Sequence, residues 1–280
     1  MKLQLQGKRA LVTGSNSGIG AGIARTLAAE GVAVVVHGRD VARCEQVAAD
    51  IVKRGGQALV AVGDLATEAG CAAVGETVMQ ACGGIDILVN NAGGRASSHR
   101  RDGLAGPKNA PWLETPWSDW LWTFEQNVGA AVRLIQRFVP GMKQRKWGRV
   151  IQIGSAAATQ TEPDIAEYQA AKAAMVNMSS SLAKTLGHTG ITVNTVSPGA
   201  ILTPAVVHAF TDVAQQRGWD ISDWAEIERR FTTELIPIAV DHFGQPEDIG
   251  RMVALIASPL SGYMTGANYR VDGGQCRSIN

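Results

Sequence analysis

No apolar run in the 280 residues approaches the ~18 to 20 residues that a membrane span requires, so a membrane partner is not expected. The start, Met1-Lys2-Leu3-Gln4-Leu5-Gln6-Gly7, lacks the apolar block of a secretion signal, and a cytoplasmic location is the expectation. Cysteine is scarce. Cys44, Cys71, Cys82 and Cys276 contain no C-x-x-C pair, which argues against zinc knots and disulfide staples. None of the five histidines shares i,i+4 spacing with another, so no metal site is expected. Net charge is also small: 26 Lys and Arg against 25 Asp and Glu leave a formal +1, too little for a nucleic-acid footprint. A small-molecule partner is favoured instead.

What the chain does have is apolar material (45%) and 32 glycines placed where turns would fall. Short β-branched runs, among them Arg9 to Thr13, Val32 to Val36, Ile85 to Asn90, Val150 to Ile153 and Thr192 to Val196, alternate with stretches of helical periodicity. Several are almost continuously apolar, as strands covered on both faces must be. The pattern predicts an α/β fold, a Rossmann-type doubly wound parallel sheet of about seven strands, forming one domain over 1–280. Helices are expected over roughly 18 to 29, 40 to 54, 67 to 81, 165 to 186 and 222 to 235. Thr115-Pro116 reads as a cap followed by proline at the first helical position, and Gln245-Pro246-Glu247-Asp248 opens another helix.

The first strand runs into Thr13-Gly14-Ser15-Asn16-Ser17-Gly18-Ile19-Gly20 and then into a helix, the setting in which glycines admit a phosphate to backbone N–H groups at a helix's positive end. The spacing is G-x-x-x-G-x-G, so the common G-x-G-x-x-G pattern fits loosely. At the end of the second strand, where a dinucleotide's ribose is read, His37-Gly38-Arg39-Asp40 offers an arginine suited to a 2′-phosphate. Asp40 is better placed as the next helix cap. NADP(H) is thus favoured over NAD(H), unless Arg39 is simply a solvated surface residue.

Ser155 follows another strand, and Tyr168 and Lys172 stand four apart on one helical face. A carbonyl that accepts hydride builds negative charge on oxygen. It needs a proton donor, a second hydrogen-bond donor and a nearby cation, which Tyr168, Ser155 and Lys172 supply in that order. A cation near the phenol favours its ionisation.

With these motifs in order, the sequence resembles the short-chain dehydrogenase/reductase family from Gly7 to Gly274. The matching residues are Thr13 to Gly20, Asp64, Asn90-Asn91-Ala92-Gly93, Asn127, Ser155, Tyr168, Lys172, Ser197-Pro198-Gly199 and Val271-Asp272-Gly273-Gly274. The resemblance implies that Tyr168 is the general acid/base, that Ser155 holds the substrate oxygen and that Lys172 contacts the nicotinamide ribose. It implies that Asn127 anchors a water-linked proton path. It places Gly14, Ser15, Ser17, Gly18, Ile19 and Gly20 at the pyrophosphate, Asp64 with Leu65 beside the adenine, and Asn90, Ala92 and Gly93 at the adenosine ribose. Pro198, Gly199, Ile201 and Thr203 fall at the nicotinamide. Asn127 has a plainer alternative, bonding backbone within its own helix. The reaction class implied is reversible hydride transfer between a nicotinamide cofactor and a ketone or secondary alcohol; a cofactor-sensing scaffold without turnover is the alternative from another class.

Two segments stand apart. Gly94 to Pro111, with Arg95, His99, Arg100, Arg101 and Lys108 against Asp102, is either a solvated loop or a rim that attracts an anionic substrate. Ile201 to Pro237 carries Val206, Val207, Phe210, Trp219, Trp224, Ile227 and Phe231. It is expected to cover the substrate side as an amphipathic helical lid, or to be a static helical pair, and its size favours a substrate with apolar surface. Trp112, Trp117, Trp120 and Trp122 cluster near one helix start and are expected to pack against a second subunit of a homo-oligomer, a dimer or tetramer.

Overall fold

The computed structural model describes residues 2–96 and 111–278. Its strands are β1 (Arg9–Val12), β2 (Ala33–Gly38), β3 (Gln57–Val62), β4 (Ile87–Asn90), β5 (Gly148–Ile153), β6 (Ile191–Pro198) and β7 (Asn268–Val271). They form one parallel sheet in the order β3-β2-β1-β4-β5-β6-β7. The doubly wound architecture is therefore present. The sequence alternates as it does because both faces are covered: Val12, Val34 and Val36 enter one core cluster while Leu11 and Val35, their neighbours along the same strands, enter the other. Helices α1 (Gly18–Ala29), α2 (Val41–Lys53) and α3 (Glu68–Cys82) connect the first four strands.

After β4 come α4 (Trp117–Phe124), a π-helical turn (Glu125–Gly129) and α5 (Ala130–Gln144) before β5. Helix α6 (Ala166–Thr185) follows β5; α7 (Pro204–Gln216), α8 (Trp224–Arg230) and a second π-turn (Phe231–Leu235) follow β6; α9 (Pro246–Ala257) precedes β7. The boundaries of α1, α2, α3 and α6 agree with the periodicity to within two residues, the stretch expected over 222 to 235 divides into α8 and the second π-turn, and no expected helix covers α5. Pro140 lies inside it, and its buried Leu134, Ile135 and Phe138 hold it against the sheet all the same. Two caps behave as expected: Asp40 accepts from Arg43 N, and Gln245 and Asp248 form a reciprocal capping box. Thr115-Pro116 does not. Pro116 itself is the N-cap, its carbonyl accepting from Asp119 N and Trp120 N, while Thr115 closes the preceding 3₁₀ turn.

The chain winds outward from β1 to β3 and then returns to place β4 beside β1. That reversal opens a crevice at the carboxyl ends of β1 and β4, where ligands of open α/β sheets bind.

Candidate active site

A cleft of about 1070 Å³ occupies that crevice. Its floor is the turn from β1 into α1, and this turn is braced from two sides. The Asn91 side chain donates to Thr13 O (2.8 Å) and Gly14 O (3.2 Å), and Thr13 Oγ1 accepts from Asn91 N and Ala92 N. From β2, His37 Nδ1 accepts the Gly14 N–H at 3.0 Å while its Nε2 meets Gly63 O at 3.2 Å. Nδ1 must therefore be the unprotonated nitrogen, and burial keeps the ring neutral, with its pKa pushed down to about 4. The turn also needs glycine: a Cβ on Gly20 would lie 2.3 Å from Gly14 O. What remains is an open backbone surface at the start of α1, whose first turn carries no acid to compete with an anion. This fits a dinucleotide's pyrophosphate.

At the β2 end the cleft is edged by Arg39 and Arg43, both exposed. Arg43 pairs with Asp40 at 3.5 Å, whereas Arg39 makes no ion pair among the described residues. Asp64 and Leu65 line the same wall; the Asp64 carboxylate accepts from Ala66 N and Gln126 Nε2.

At the other end, Ser155, Tyr168 and Lys172 share the cleft wall with Gly93. Ser155 caps the short turn Ala156–Ala158, accepting from Ala157 N at 3.1 Å, and its hydroxyl faces that of Tyr168. Lys172, one helical turn on, is buried and donates to Ile153 O at 2.9 Å. Its ammonium lies 5.6 Å from the Tyr168 ring centre, and desolvation pulls its pKa down to about 8. Burial raises the Tyr168 pKa, opposed by the facing Ser155 hydroxyl and by the charge of Arg95. Arg95 is thus a cation, not singled out for this role from the sequence, that favours the phenolate, while the Lys172 ammonium donates to the Ile153 carbonyl.

Of the expected site residues, Gly14, Ser17, Gly18, Ile19, Gly20, Arg39, Asp64, Leu65, Ala92, Gly93, Ser155, Tyr168, Lys172, Pro198, Gly199 and Thr203 line the cleft. Four stand behind it. The Ser15 hydroxyl donates to Val12 O and accepts from His37 N; Asn90 is buried; Ile201 is buried beside Gly244. The fourth, Asn127, spends its amide on Gly94 and Thr123 backbone, the plainer role allowed for it. It nonetheless abuts the site: a Cβ on Gly93 would fall 2.3 Å from Asn127 Oδ1 and 3.5 Å from Lys172 Nζ. Sequence reasoning did not single out His37 or the brace from Asn91. Their partners lie on other strands, and no local spacing signals them.

In the segment after β6 the aromatics pack on one another. Phe210, Trp219, Trp224, Ile227 and Phe231 pack on one another and on Phe243, with Phe210 and Phe231 stacked at 4.0 Å. They form a small core of their own, so their apolar surface is spent internally. A second cleft, about 1010 Å³, lies between Thr159 to Asp164, Leu235 to Pro237 and the Gln275 to Ser278 tail. Its lining is rich in hydroxyl, amide and charged groups. His99, Arg100, Arg101, Asp102 and Lys108 of the expected anion-attracting rim lie outside the described residues. Among the described residues no cluster of metal-ligating side chains occurs, and no helix is long and apolar enough to cross a membrane.

Residues 8–214 match the family model for short chain dehydrogenase. Over 282 residues the chain is 38% identical to the uncharacterized oxidoreductase YvaG of Bacillus subtilis (strain 168), covering 100% of both chains. Its fold superposes on L-sorbose reductase from Gluconobacter frateurii, solved in complex with NADPH and L-sorbose, with a TM-score of 0.89, 33% identity and full coverage of both chains. A 7α-hydroxysteroid dehydrogenase complexed with NADH and 7-oxo glycochenodeoxycholic acid superposes with a TM-score of 0.82 and 31% identity, covering 100% of this chain and 98% of that one.

Proposed function

The chain belongs to the short-chain dehydrogenase/reductase family of oxidoreductases, which bind a nicotinamide dinucleotide and act on CH–OH and C=O groups, and within it we propose an NADP(H)-dependent ketone reductase working reversibly through Tyr168. The observation that carries this reading is the shared cleft: the backbone cradle and Arg39 lie at one end and Ser155, Tyr168 and Lys172 at the other. The loop Gly14 to Gly20 holds the pyrophosphate, Arg39 the 2′-phosphate, Asp64 and Leu65 the adenine side, and Pro198, Gly199 and Thr203 the nicotinamide side. When bound, the reduced nicotinamide supplies the hydride. Tyr168 Oη delivers the proton to the substrate oxygen, and Ser155 Oγ holds that oxygen as its charge develops. Lys172 steadies the ribose, and Asn127 shapes the wall behind it through Gly94.

Arg39 supports NADP(H) because it carries a guanidinium without an ionic partner among the described residues where the 2′-phosphate would sit. NAD(H) is the second reading, favoured by the NADH complex of the hydroxysteroid dehydrogenase. On the substrate side, the polar second cleft next to the Ser155 turn favours a hydroxylated ketone over an apolar one, in keeping with the sorbose seen in the reductase complex. We further take 1–280 as one domain of a cytoplasmic homo-oligomer. Trp112 and Trp117, 59% and 70% exposed on and before α4, supply an apolar face for its interface.

The test is a panel of ketoses, steroid ketones and simple alkyl ketones, with the matching alcohols, followed by nicotinamide absorbance with both cofactors. Turnover with NADP(H) that Arg39→Ala lowers at least tenfold in kcat/KM is expected, since a charge-assisted phosphate contact contributes about 1.5 to 3 kcal/mol. A wild-type preference for NAD(H) removes the cofactor assignment. Cofactor binding without turnover across the panel favours a sensor or scaffold.

A further inference from the structure

Tyr168 rides on the first turn of α6, and that turn has no side-chain cap: Ile165 occupies the N-cap position without a side-chain hydrogen bond. Arg95 ties it down instead. Its Nε pairs with Glu167 Oε1 at 3.0 Å and its Nη2 donates to Asp164 O at 3.0 Å. One guanidinium thus joins the strand of chain entering α6 to the residue beside Tyr168. The pair is shielded, with the Arg95 and Glu167 side chains 14% and 2% exposed. Glu167 Oε2 has no hydrogen-bond partner among the described residues, so Arg95 is the cation on which this buried carboxylate depends.

The other end of Arg95 is equally fixed. On one side, Gly94 is clamped through both its N–H and its carbonyl by the Asn127 amide, at 3.3 and 2.8 Å. On the other, Ala96 N donates to Thr123 Oγ1 at 3.3 Å. Thr123 and Asn127 flank the junction of α4 and the π-turn, and Asn127 itself abuts Gly93 in the cleft wall. A continuous set of contacts therefore runs from the cleft wall, through Asn127 and Arg95, to the first turn of the catalytic helix.

We propose that Arg95, paired with Glu167 and bonded to Asp164 O, is a positioning residue for hydride transfer: it registers the Tyr168 hydroxyl against the cleft wall that receives the nicotinamide ribose. This rests on the assignment of Tyr168 as the general acid/base. The pair also sets the local charge. The groups facing Tyr168 are the Ser155 hydroxyl, the Lys172 ammonium on its own helix, Arg95 from the β4 loop and the adjoining Glu167. Asp119 is the buried carboxylate of α4, which packs on the same helix. Removing the positive member disfavours the phenolate and raises its pKa; removing the negative member alone favours the phenolate and lowers its pKa.

The experiment titrates Tyr168 directly, by ultraviolet difference absorbance of the phenolate with Tyr168→Phe as the blank, in wild type, Arg95→Met, Arg95→Lys and Glu167→Gln. It runs in parallel with the pH profile of kcat. The Tyr168 midpoint is expected to move up in Arg95→Met and down in Glu167→Gln, each by about one pH unit. Arg95→Lys is expected to keep the midpoint, yet to lose kcat by about 10- to 100-fold with a smaller change in KM, because the second bond of the fork is gone and the hydroxyl drifts. If Arg95→Met does not fold, Glu167→Gln and Arg95→Lys carry the test. A merely structural pair would lower thermal stability and leave midpoint and kcat unchanged, which overturns the proposal. An inactive wild type refutes the Tyr168 assignment, while the spectral titration still decides whether Arg95 governs the phenol.

Discussion

His37 makes the nucleotide cradle sensitive to acid in a way that can be measured. In the folded chain its neutral ring accepts the Gly14 N–H and meets Gly63 O, and its pKa is about 4 against an ordinary 6.5. The unfolded chain therefore binds a proton as pH falls through about 6.5, while the folded chain resists until about 4. Across that window the unfolded state holds more protons, so stability falls as acid is added and rises with pH. At about 1.4 kcal/mol per pKa unit, the full drop is worth about 3 kcal/mol at its limit. The perturbation is His37→Gln, whose amide supplies one acceptor and one donor but no titratable ring. Urea unfolding of both proteins from about pH 7 to about pH 4 cancels the carboxylates they share, including the Arg-paired Asp50 and Asp86 that also weaken the fold in acid. Wild type is expected to lose up to about 3 kcal/mol more than the variant over this range. Parallel curves for the two would refute the assignment of a buried, neutral His37 beneath the loop.

Two further outcomes follow from the same site. Lys172→Met should abolish turnover and yet raise the melting temperature. A pKa depressed from 10.5 to about 8 means that the buried ammonium costs the fold up to about 3 kcal/mol at neutral pH, a cost partly offset by its bond to Ile153 O. A fall in melting temperature on scanning calorimetry would contradict this. Gly93→Ala should destabilise by about 1 to 3 kcal/mol, because its methyl group would meet Asn127 Oδ1 at 2.3 Å, and it should reduce kcat by displacing Asn127 from the wall beside Lys172. Wild-type thermal unfolding and kcat in this variant would refute the tight wall.

The exposed aromatics and the internal ones were not distinguishable by composition. Trp112 and Trp117 stand out toward solvent, whereas Trp219 and Phe231 meet edge to face at 5.7 Å inside the segment after β6. Both groups are aromatic residues at helical spacing. Which face finds a partner depends on the neighbouring element, and Phe243, the residue that completes the internal cluster, comes from beyond the segment.

By itself the sequence determined the sheet, the alternation of its strands with helices other than α5, and the four-residue step from Tyr168 to Lys172, because each follows from a local repeat: near-continuous apolar runs for doubly covered strands, and one helical turn for the pair. Glycine spacing likewise marked the turn at Gly14 to Gly20. Only the tertiary structure decided that Lys172 faces the Ile153 carbonyl, that Asn127 serves Gly94 and Thr123 backbone, that His37 supports Gly14 and that Arg95 reaches Glu167. Arg95 and Glu167 are 72 positions apart, and His37 and Gly14 are 23 apart. Such pairs meet because parallel pairing brings the carboxyl ends of β1, β2, β4 and β5 to one edge, and no period along the chain encodes which side chains arrive there together.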